Sequence, residues 1–242
     1  MNKITSTANP LIKEIKKLHN KKYRKENNQF LAEGTRACTT LIDAGLELIN
    51  CFCTDKIEIS VKEEQKTIVS ENVLKAISQA QTPSGIVCQF EIPTQKEIKN
   101  IKSGIICENI SNPGNLGTLI RSAAAFNIKD IILVDGADQW SSKVVQSTAG
   151  TIGLVNIYKS DYKEINNLKD NISICALVAK DGDKPTKENI QNSFIVIGNE
   201  AHGISNEMLS MCDKKITLSM PGKAESLNAS IAGSIAMYIA SE

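Results

Sequence analysis

Residues 104–122 read GIICENISNPGNLGTLIRS, and this stretch decides the fold class that we predict. It opens with an apolar run typical of a buried strand, Gly104–Asn109, and turns at Pro113 and Gly114. A largely apolar helix follows at once. Apolar strands that alternate with helices form parallel sheets, which bind ligands beyond the carboxyl ends of their strands. We therefore expect the functional residues in loops that follow strands.

The same alternation continues to the end of the sequence and predicts an α/β domain with a mostly parallel sheet over residues 104–242. Further strands are predicted at Ile131–Val134, Leu154–Tyr158, Ile174–Val178, Phe194–Ile197 and Lys215–Leu218. The predicted helices are Leu116–Phe126, Ser142–Thr148, Lys163–Leu168, Asn206–Met211 and Ser226–Ala240.

A smaller α/β domain is predicted over residues 1–92, followed by a polar linker at residues 93–103. Its elements are one amphipathic helix from Asn9 to Lys25, four strands and two further helices. The strands are predicted at residues 29–33, 48–53, 67–69 and 85–90, and the helices at residues 35–44 and 71–78.

The composition is that of a soluble globular protein, with 41% hydrophobic and 23% charged residues. No apolar run approaches the roughly 20 residues of a membrane helix, and the first residues lack a signal-peptide pattern. We expect a cytoplasmic protein. The seven cysteines include no C-x-x-C pair, and His19 and His202 are far apart, so we expect buried, reduced thiols and no metal.

The charge is unevenly distributed along the chain. Residues 1–36 contain nine Lys and Arg against three Glu, although the whole chain has a net charge of only +1. A basic arm of this kind suits the phosphate backbone of a nucleic acid. It also suits a solvated, lysine-rich helix face, and the sequence does not decide between the two.

The loop after the first strand of the larger domain has glycines that let a backbone approach a ligand closely, and a helix N-terminus that offers free N–H groups. It contains no dinucleotide-binding or phosphate-loop pattern. Arg121 stands in the helix that follows and is one of only three arginines. In a chain that otherwise uses lysine, the planar guanidinium suggests a specific role, although a surface ion pair would also explain it.

Two later loops also follow predicted strands. Residues 198–203, GNEAHG, form a tight turn in which Glu200 could pair with an arginine and His202 faces solvent, while Ser205 or Asn206 caps the next helix. Residues 218–230, LSMPGKAESLNAS, form a Pro- and Gly-shaped loop in which Ser226 is a natural helix N-cap. The helix after it is rich in small residues, which permit close packing within the fold or between subunits.

In this order and spacing, the three loops resemble the motifs of the SpoU/TrmH RNA 2′-O-ribose methyltransferases. The matching residues are Asn112, Asn115, Gly117 and Arg121, then Gly198, Asn199, Glu200 and Gly203, then Leu218, Met220, Gly222, Ser226, Leu227 and Asn228. Upstream, residues 30–34 and 82–86 resemble a small ribosomal-protein-like RNA-binding domain that is often fused ahead of this catalytic domain.

The resemblance implies a deep trefoil knot, a homodimer, and S-adenosylmethionine as cofactor, held in the knot. It assigns cofactor binding to Gly198, Asn199, Leu218, Met220, Gly222 and Leu227. It implies a catalytic role for Arg121 as a proton acceptor or as a phosphate-activated group. Arginine stays protonated in proteins, so a role as proton acceptor is chemically awkward. We expect instead that Arg121 orients the target phosphate and ribose with help from Asn115 and Ser226, while Glu200 and Asn228 hold the loops.

The chain departs from the family pattern at a few positions. Ser219 stands where the family usually has Pro, and Ser142 and Gln146 replace a Pro and an Arg in a segment that the family uses near RNA. The fused N-terminal domain favours ribosomal RNA as the substrate over tRNA. A non-catalytic RNA-binding or assembly factor remains an alternative, as does an unrelated nucleotide enzyme, which the missing phosphate-loop pattern disfavours.

Overall fold

The computed structural model describes residues 3–99, 101–223 and 226–242. Met1, Asn2, Asn100, Ala224 and Glu225, which fall in the predicted N-terminal segment, linker and third loop, lie outside the described residues. The chain divides into two compact units. The first consists of the residues up to Thr94 together with Asp138–Gly153, and the second of Gln95–Ala137 together with Leu154–Glu242.

The elements in chain order are helices α1 to α10 and strands β1 to β10. The first half contains α1 (Pro10–Lys17), α2 (Lys21–Asn27), β1 (Gln29–Glu33), α3 (Thr35–Asp43), β2 (Leu48–Cys53), β3 (Lys66–Ile68), α4 (Glu71–Ile77), β4 (Ile86–Glu91), β5 (Gly104–Glu108) and α5 (Pro113–Ala125). The second half contains β6 (Asp130–Val134), α6 (Ser142–Thr148), β7 (Asn156–Lys159), α7 (Tyr162–Leu168), β8 (Ser173–Leu177), α8 (Lys187–Ile190), β9 (Ser193–Ile197), α9 (Asn206–Leu209), β10 (Lys214–Ile216) and α10 (Ala229–Ser241).

The first unit is built on a four-stranded sheet in the order β1-β4-β2-β3. Strand β4 is antiparallel to both β1 and β2, whereas β2 and β3 are parallel. The apolar sides of α1 and α4 pack on this sheet, and Ile12, Ile15, Phe52 and Val73 are among the buried residues of the resulting core. Burial of this apolar surface stabilises the unit.

The single helix predicted from Asn9 to Lys25 was wrong, because the chain forms α1 and α2 with a turn at residues 18–20. Helix α1 ends at Lys17 with Leu18 as its C-cap. Asn20 caps α2, since its side chain accepts a hydrogen bond from the backbone N–H of Lys22 at 2.9 Å. The turn leaves the carbonyls of Leu18 and His19 without helical partners. The Nη1 of Arg24 donates to both of them at 2.8 Å.

The segment Asp138–Gly153 belongs to the first unit. Arg24, which is 4% exposed, donates from Nη2 to Asp138 Oδ2 at 2.7 Å, and the ring of Trp140 lies 4.6 Å from that of Phe30. A Cβ at Gly150 would lie 2.5 Å from the carbonyl oxygen of Ala37, so only glycine fits there. The sequence analysis assigned this segment to residues 104–242, because the alternation of strand and helix runs through it without a break.

The second unit contains a six-stranded sheet in the order β10-β8-β9-β5-β6-β7, and every neighbouring pair is parallel. This confirms the predicted α/β fold with a parallel sheet. Strands β5 and β9 lie at its centre, and all of their residues are buried. Because the strands are parallel, the loops that follow β5, β9 and β10 leave the same edge of the sheet.

Three details of the second unit differ from the prediction. Helix α10 begins at Ala229 and not at Ser226, because the Asn228 side chain caps it by accepting from the backbone N–H groups of Ser230 and Ile231. Residues Thr151–Leu154 form a 3₁₀ helix, so β7 starts later than predicted. The short helix α8 was not predicted. Among the described residues, no helix is long and apolar enough to cross a membrane.

Candidate active site

The Glu200 carboxylate joins the loop after β9 to the loop after β5. One oxygen accepts hydrogen bonds from the backbone N–H and the hydroxyl of Ser111 at 3.3 and 3.0 Å. The other accepts from the backbone N–H of Asn112 at 3.1 Å and from Asn115 Nδ2 at 2.9 Å. The predicted pairing of Glu200 with an arginine was wrong, because amide and hydroxyl donors occupy both oxygens.

These donors stabilise the charged form of the Glu200 side chain. Partial burial raises its pKa, but hydrogen bonds from Asn115 and from the backbone N–H groups of Glu200, Asn112 and Ser111 outweigh that effect and lower the pKa to about 2. Glu200 is therefore an anion at neutral pH. With such a low pKa and four donors on its oxygens, it holds the loops together and does not accept a proton there.

Asn115 connects this pair of loops to the start of α10. Its Nδ2 donates to Glu200, while its Oδ1 accepts from Asn228 Nδ2 at 3.1 Å and from the Ser230 hydroxyl at 3.3 Å. Ser230 is only 4% exposed, and its hydroxyl also donates to Asn228 Oδ1 at 2.7 Å. Three motif loops are thus linked by one chain of hydrogen bonds. The sequence analysis missed Ser230, whose only signal was its place two residues after Asn228.

Gly198 and Asn199 stabilise the turn after β9. A Cβ at Gly198 would lie 2.4 Å from the carbonyl carbon of Gly203, so the close return of the backbone requires glycine at this position. The Asn199 side chain donates to the carbonyl of Asn109 at 2.9 Å and accepts from the backbone N–H groups of the next two loop residues. His202 is exposed, as predicted.

Glu108 anchors the far end of the same turn and was also missed by the sequence analysis. It is 2% exposed, and its carboxylate accepts from the Tyr162 hydroxyl at 2.8 Å and from the backbone N–H of Ser205 at 3.0 Å. Ser205 in turn caps α9, as one of the two predicted capping residues. A carboxylate at the end of an otherwise apolar strand was the signal that could have revealed this contact.

Arg121 is exposed in the third turn of α5 and makes no hydrogen bond or ion pair with any residue in the described part of the chain. The next residue, Ser122, lies 2.7 Å from Ser234 of α10 through their hydroxyl oxygens. This contact fixes the rotation of α5 against α10. Arg121 therefore presents its charge to solvent from a helix whose orientation is set.

The loop after β10 contains the other residues predicted to bind the cofactor. Leu218 and Met220 are half-buried, whereas Gly222, Ser226 and Leu227 are exposed. No backbone N–H from Leu218 to Lys223 donates to another described residue. A backbone with free donors at the carboxyl edge of a parallel sheet suits a polar nucleoside-like ligand. Within the described ranges, no group of His, Cys, Asp and Glu could hold a metal ion.

With this geometry established, comparison with known proteins identifies the family. Residues 102–238 match the SpoU rRNA Methylase family, and residues 9–88 match an MRM3-like substrate binding domain. The chain belongs to the SpoU rRNA methylase family. This confirms the family and the methyltransferase class that the three motifs predicted.

Relatives are similar to this SpoU methylase over its whole length. The 23S rRNA (guanosine(2553)-2′-O)-methyltransferase of Bacillus subtilis is 28% identical, with 98% of both chains covered. The structure of an AdoMet-bound rRNA methyltransferase from Sinorhizobium meliloti is 25% identical, with a TM-score of 0.85 and 99% and 97% of the two chains covered. A solved RNA 2′-O ribose methyltransferase is 27% identical, with a TM-score of 0.81 and 99% and 98% coverage.

Replacing Glu200 by Gln should change how stability depends on pH. The folded-state pKa of about 2 lies below the ordinary value of 4.5, so the carboxylate stabilises the fold above about pH 4.5 and loses that contribution as the pH falls toward 2. We expect the Glu200→Gln variant to be less stable than the wild type at pH 6, and the difference to shrink between pH 4.5 and 2. Urea unfolding at several pH values measures this.

The matched control is Glu207→Gln, at an exposed carboxylate whose side chain has no hydrogen-bond partner in the described residues. It should leave the pH dependence unchanged. A stability difference between Glu200→Gln and the wild type that stays constant over this pH range would contradict the proposed charge state of Glu200.

Proposed function

We propose that this methylase transfers the methyl group of S-adenosylmethionine to the 2′-hydroxyl of a ribose in ribosomal RNA. The observation that carries the proposal is the hydrogen-bonded chain Glu200–Asn115–Asn228, which joins the three motif loops at one edge of the parallel sheet. Membership of the SpoU rRNA methylase family supports it. So does the AdoMet-bound state of the Sinorhizobium meliloti structure.

The residues proposed to hold the donor fit a ligand bound mainly by backbone groups. The backbone N–H groups of residues 218–223 have no acceptor among the described residues, and the side chain of Asn199 is already hydrogen-bonded to the Asn109 carbonyl and to backbone N–H groups of its own turn. We assign donor binding to these two loops, with Gly198, Met220 and Gly222 shaping the backbone and Leu227 adding apolar contact. S-adenosylmethionine supplies an activated methyl carbon when bound, so the protein has to align the ribose and lower the cost of removing its proton.

Arg121 is the residue best suited to orient the RNA. Its guanidinium is exposed, has no partner in the described residues and can grip a phosphate through two parallel hydrogen bonds. Its positive charge would also stabilise negative charge that develops on the ribose oxygen. Asn115 and Asn228 hold the loops around it, and the exposed hydroxyl of Ser226 is available to the substrate. Glu200, whose pKa is lowered to about 2 by its hydrogen bonds, is not the proton acceptor at neutral pH.

Ribosomal RNA is the proposed substrate because the similarity to rRNA enzymes includes the first unit. The Bacillus subtilis relative, named for 23S rRNA, aligns with 98% of this chain. The 23S rRNA (uridine(2479)-2′-O)-methyltransferase of Streptomyces viridochromogenes aligns with 91% of it. The match of residues 9–88 to a substrate binding domain supports the same choice. Transfer RNA remains the second candidate.

Arg121→Ala should abolish methyl transfer and leave donor binding intact. We expect S-adenosylmethionine affinity, measured by calorimetry, to stay within about twofold, because the exposed Arg121 side chain has no hydrogen bond or ion pair with any described residue of the proposed donor loops. Transfer of a radiolabelled methyl group into 23S rRNA transcribed in vitro should fall at least about 100-fold, the usual effect of losing a residue that stabilises developing charge.

Lys129→Ala serves as the control, since Lys129 is an exposed cation just beyond the same helix and should leave turnover unchanged. Turnover retained by Arg121→Ala would contradict the assigned role. A wild-type protein that fails to bind S-adenosylmethionine would support the alternative of a non-catalytic RNA-binding factor.

We also propose that two copies associate through α10. Ile231, Ile235 and Tyr238 lie one or two turns apart on one side of this helix and are 50%, 37% and 49% exposed. The opposite side contains the buried residues Ala236 and Met237. An exposed apolar stripe on a helix is typical of a protein–protein interface, and a second copy is the occupant that we propose.

The double substitution Ile231→Glu and Ile235→Glu should convert the dimer to a monomer, because it places charge in an apolar interface. Light scattering after size exclusion measures the mass, and circular dichroism checks that the fold is retained. Leu154→Glu, at an apolar residue that is 45% exposed outside α10, should leave the mass of two chains unchanged. A wild-type protein with the mass of a single chain would contradict the proposal.

We propose two further properties. After the edge strand β10 the chain returns to the centre of the sheet, where α10 packs on α5 and β9. This path supports the trefoil knot. When the unfolded chain is stretched in single-molecule experiments, a knot would make its extended length shorter than that expected for 242 residues. We also propose a cytoplasmic location, which cell fractionation would test.

A further inference from the structure

Helices α1 and α2 concentrate positive charge. Residues 9–28 contain seven Lys and Arg against two Glu. All six lysines in this range are exposed, whereas Arg24 is 4% exposed. The arginine is used by the fold, since it binds Asp138 and closes the turn between the helices. The lysines are therefore the charges that are available to a partner.

Acidic neighbours neutralise only part of this charge. Lys17 pairs with Glu14 at 2.6 Å and Lys22 with Glu26 at 3.8 Å. The side chains of the remaining four lysines have no ion pair or hydrogen bond with any residue that the structure describes: Lys13, Lys16, Lys21 and Lys25. We call these four side chains the hairpin face.

The hairpin face contains like charges close together on firmly packed helices. Lys13 and Lys16 are three residues apart on α1, and Lys21 and Lys25 are four apart on α2, so each pair lies on one side of its helix. Such pairs repel each other in the free protein. A bound polyanion would relieve this repulsion.

The exposed apolar surface of the two helices distinguishes between two possible anionic partners, a membrane surface and a hydrophilic polyanion. Among the described residues of these two helices, Leu11 is the one large apolar side chain that is exposed, and its exposed fraction is 38%. A helix that binds a membrane surface needs a wide apolar face on the lipid side. Here Ile12 and Ile15 face the core instead. A hydrophilic polyanion with regularly spaced charges fits the hairpin face better.

We propose that the hairpin face binds the phosphate backbone of the RNA substrate and so anchors the RNA to the first unit. The inference rests on the proposed function, since it takes the partner to be the RNA that is methylated. It extends that function by naming the surface and residues that contact the RNA backbone. Lysine contacts to phosphate position the RNA and contribute affinity but no sequence selectivity.

The test compares two charge-matched quadruple variants of the full chain. The first replaces Lys13, Lys16, Lys21 and Lys25 by Gln. The control replaces Lys62, Lys75, Lys163 and Lys169 by Gln, four exposed lysines on other elements that have no ion pair among the described residues. Fluorescence anisotropy with 23S rRNA fragments transcribed in vitro measures RNA affinity from about 50 to 200 mM salt.

We expect the hairpin variant to bind RNA at least about 10-fold more weakly than the wild type. The slope of log affinity against log salt should fall by about 3, because each lost phosphate contact removes about 0.7 to 0.9. The control should bind within about threefold of the wild type. Neither variant should melt below the wild type, because the substituted side chains have no partners to lose.

Two outcomes would overturn the proposal. One is unchanged affinity and salt slope in the hairpin variant, and the other is an equal loss in the control, which would show that only net charge matters. Calorimetry with S-adenosylmethionine separates this question from the proposed function. Failure of the wild type to bind the donor would refute the enzyme proposal, whereas the comparison of RNA affinities would still decide whether the hairpin face binds RNA.

Discussion

The structure around the motif loops depends on the Glu200 carboxylate and on the hydrogen bonds that it accepts from residues 111–115. Strands β5 and β9 are neighbours at the centre of the sheet, and this anion connects the loops that follow them. Asn115 extends the connection to Asn228 and Ser230 at the start of α10. In the loop after β10, the backbone N–H groups of residues 218–223 donate to no other described residue.

The parallel sheet and the positions of its loops could be predicted because they depend on local sequence. Runs of apolar residues and the glycines between them indicate strands and turns without reference to distant residues. The partners of Glu200 could not be predicted in this way, because Asn115 is 85 positions away in sequence. The same holds for Ser230 and Asn115, which are 115 positions apart. Ser226 was predicted to cap α10 from residue type alone, but the side chain of Asn228 caps the helix instead.

Two of the three arginines have opposite environments, which the sequence did not reveal. Arg24 is buried against Asp138 and two carbonyls, so it stabilises the first unit. Arg121 is exposed and has no partner within the described residues, so its charge is available to a binding partner. A buried ion pair costs desolvation and requires good geometry, whereas a free guanidinium is ready to bind phosphate. The same contrast separates Arg24 from the lysines of the hairpin face. The charge of Arg24 stabilises the first unit, whereas we propose that the charges of the exposed lysines bind a partner.

The central claim is that this SpoU methylase modifies a ribose 2′-hydroxyl in ribosomal RNA. The most direct measurement is a map of 2′-O-methyl groups in the total RNA of wild-type cells, of cells that lack the gene, and of deletion cells that express the gene again. We predict that one ribosomal RNA position loses its methyl group on deletion and regains it on re-expression. An identical map in all three strains would contradict the claim, and loss of a methyl group from tRNA would contradict the choice of substrate.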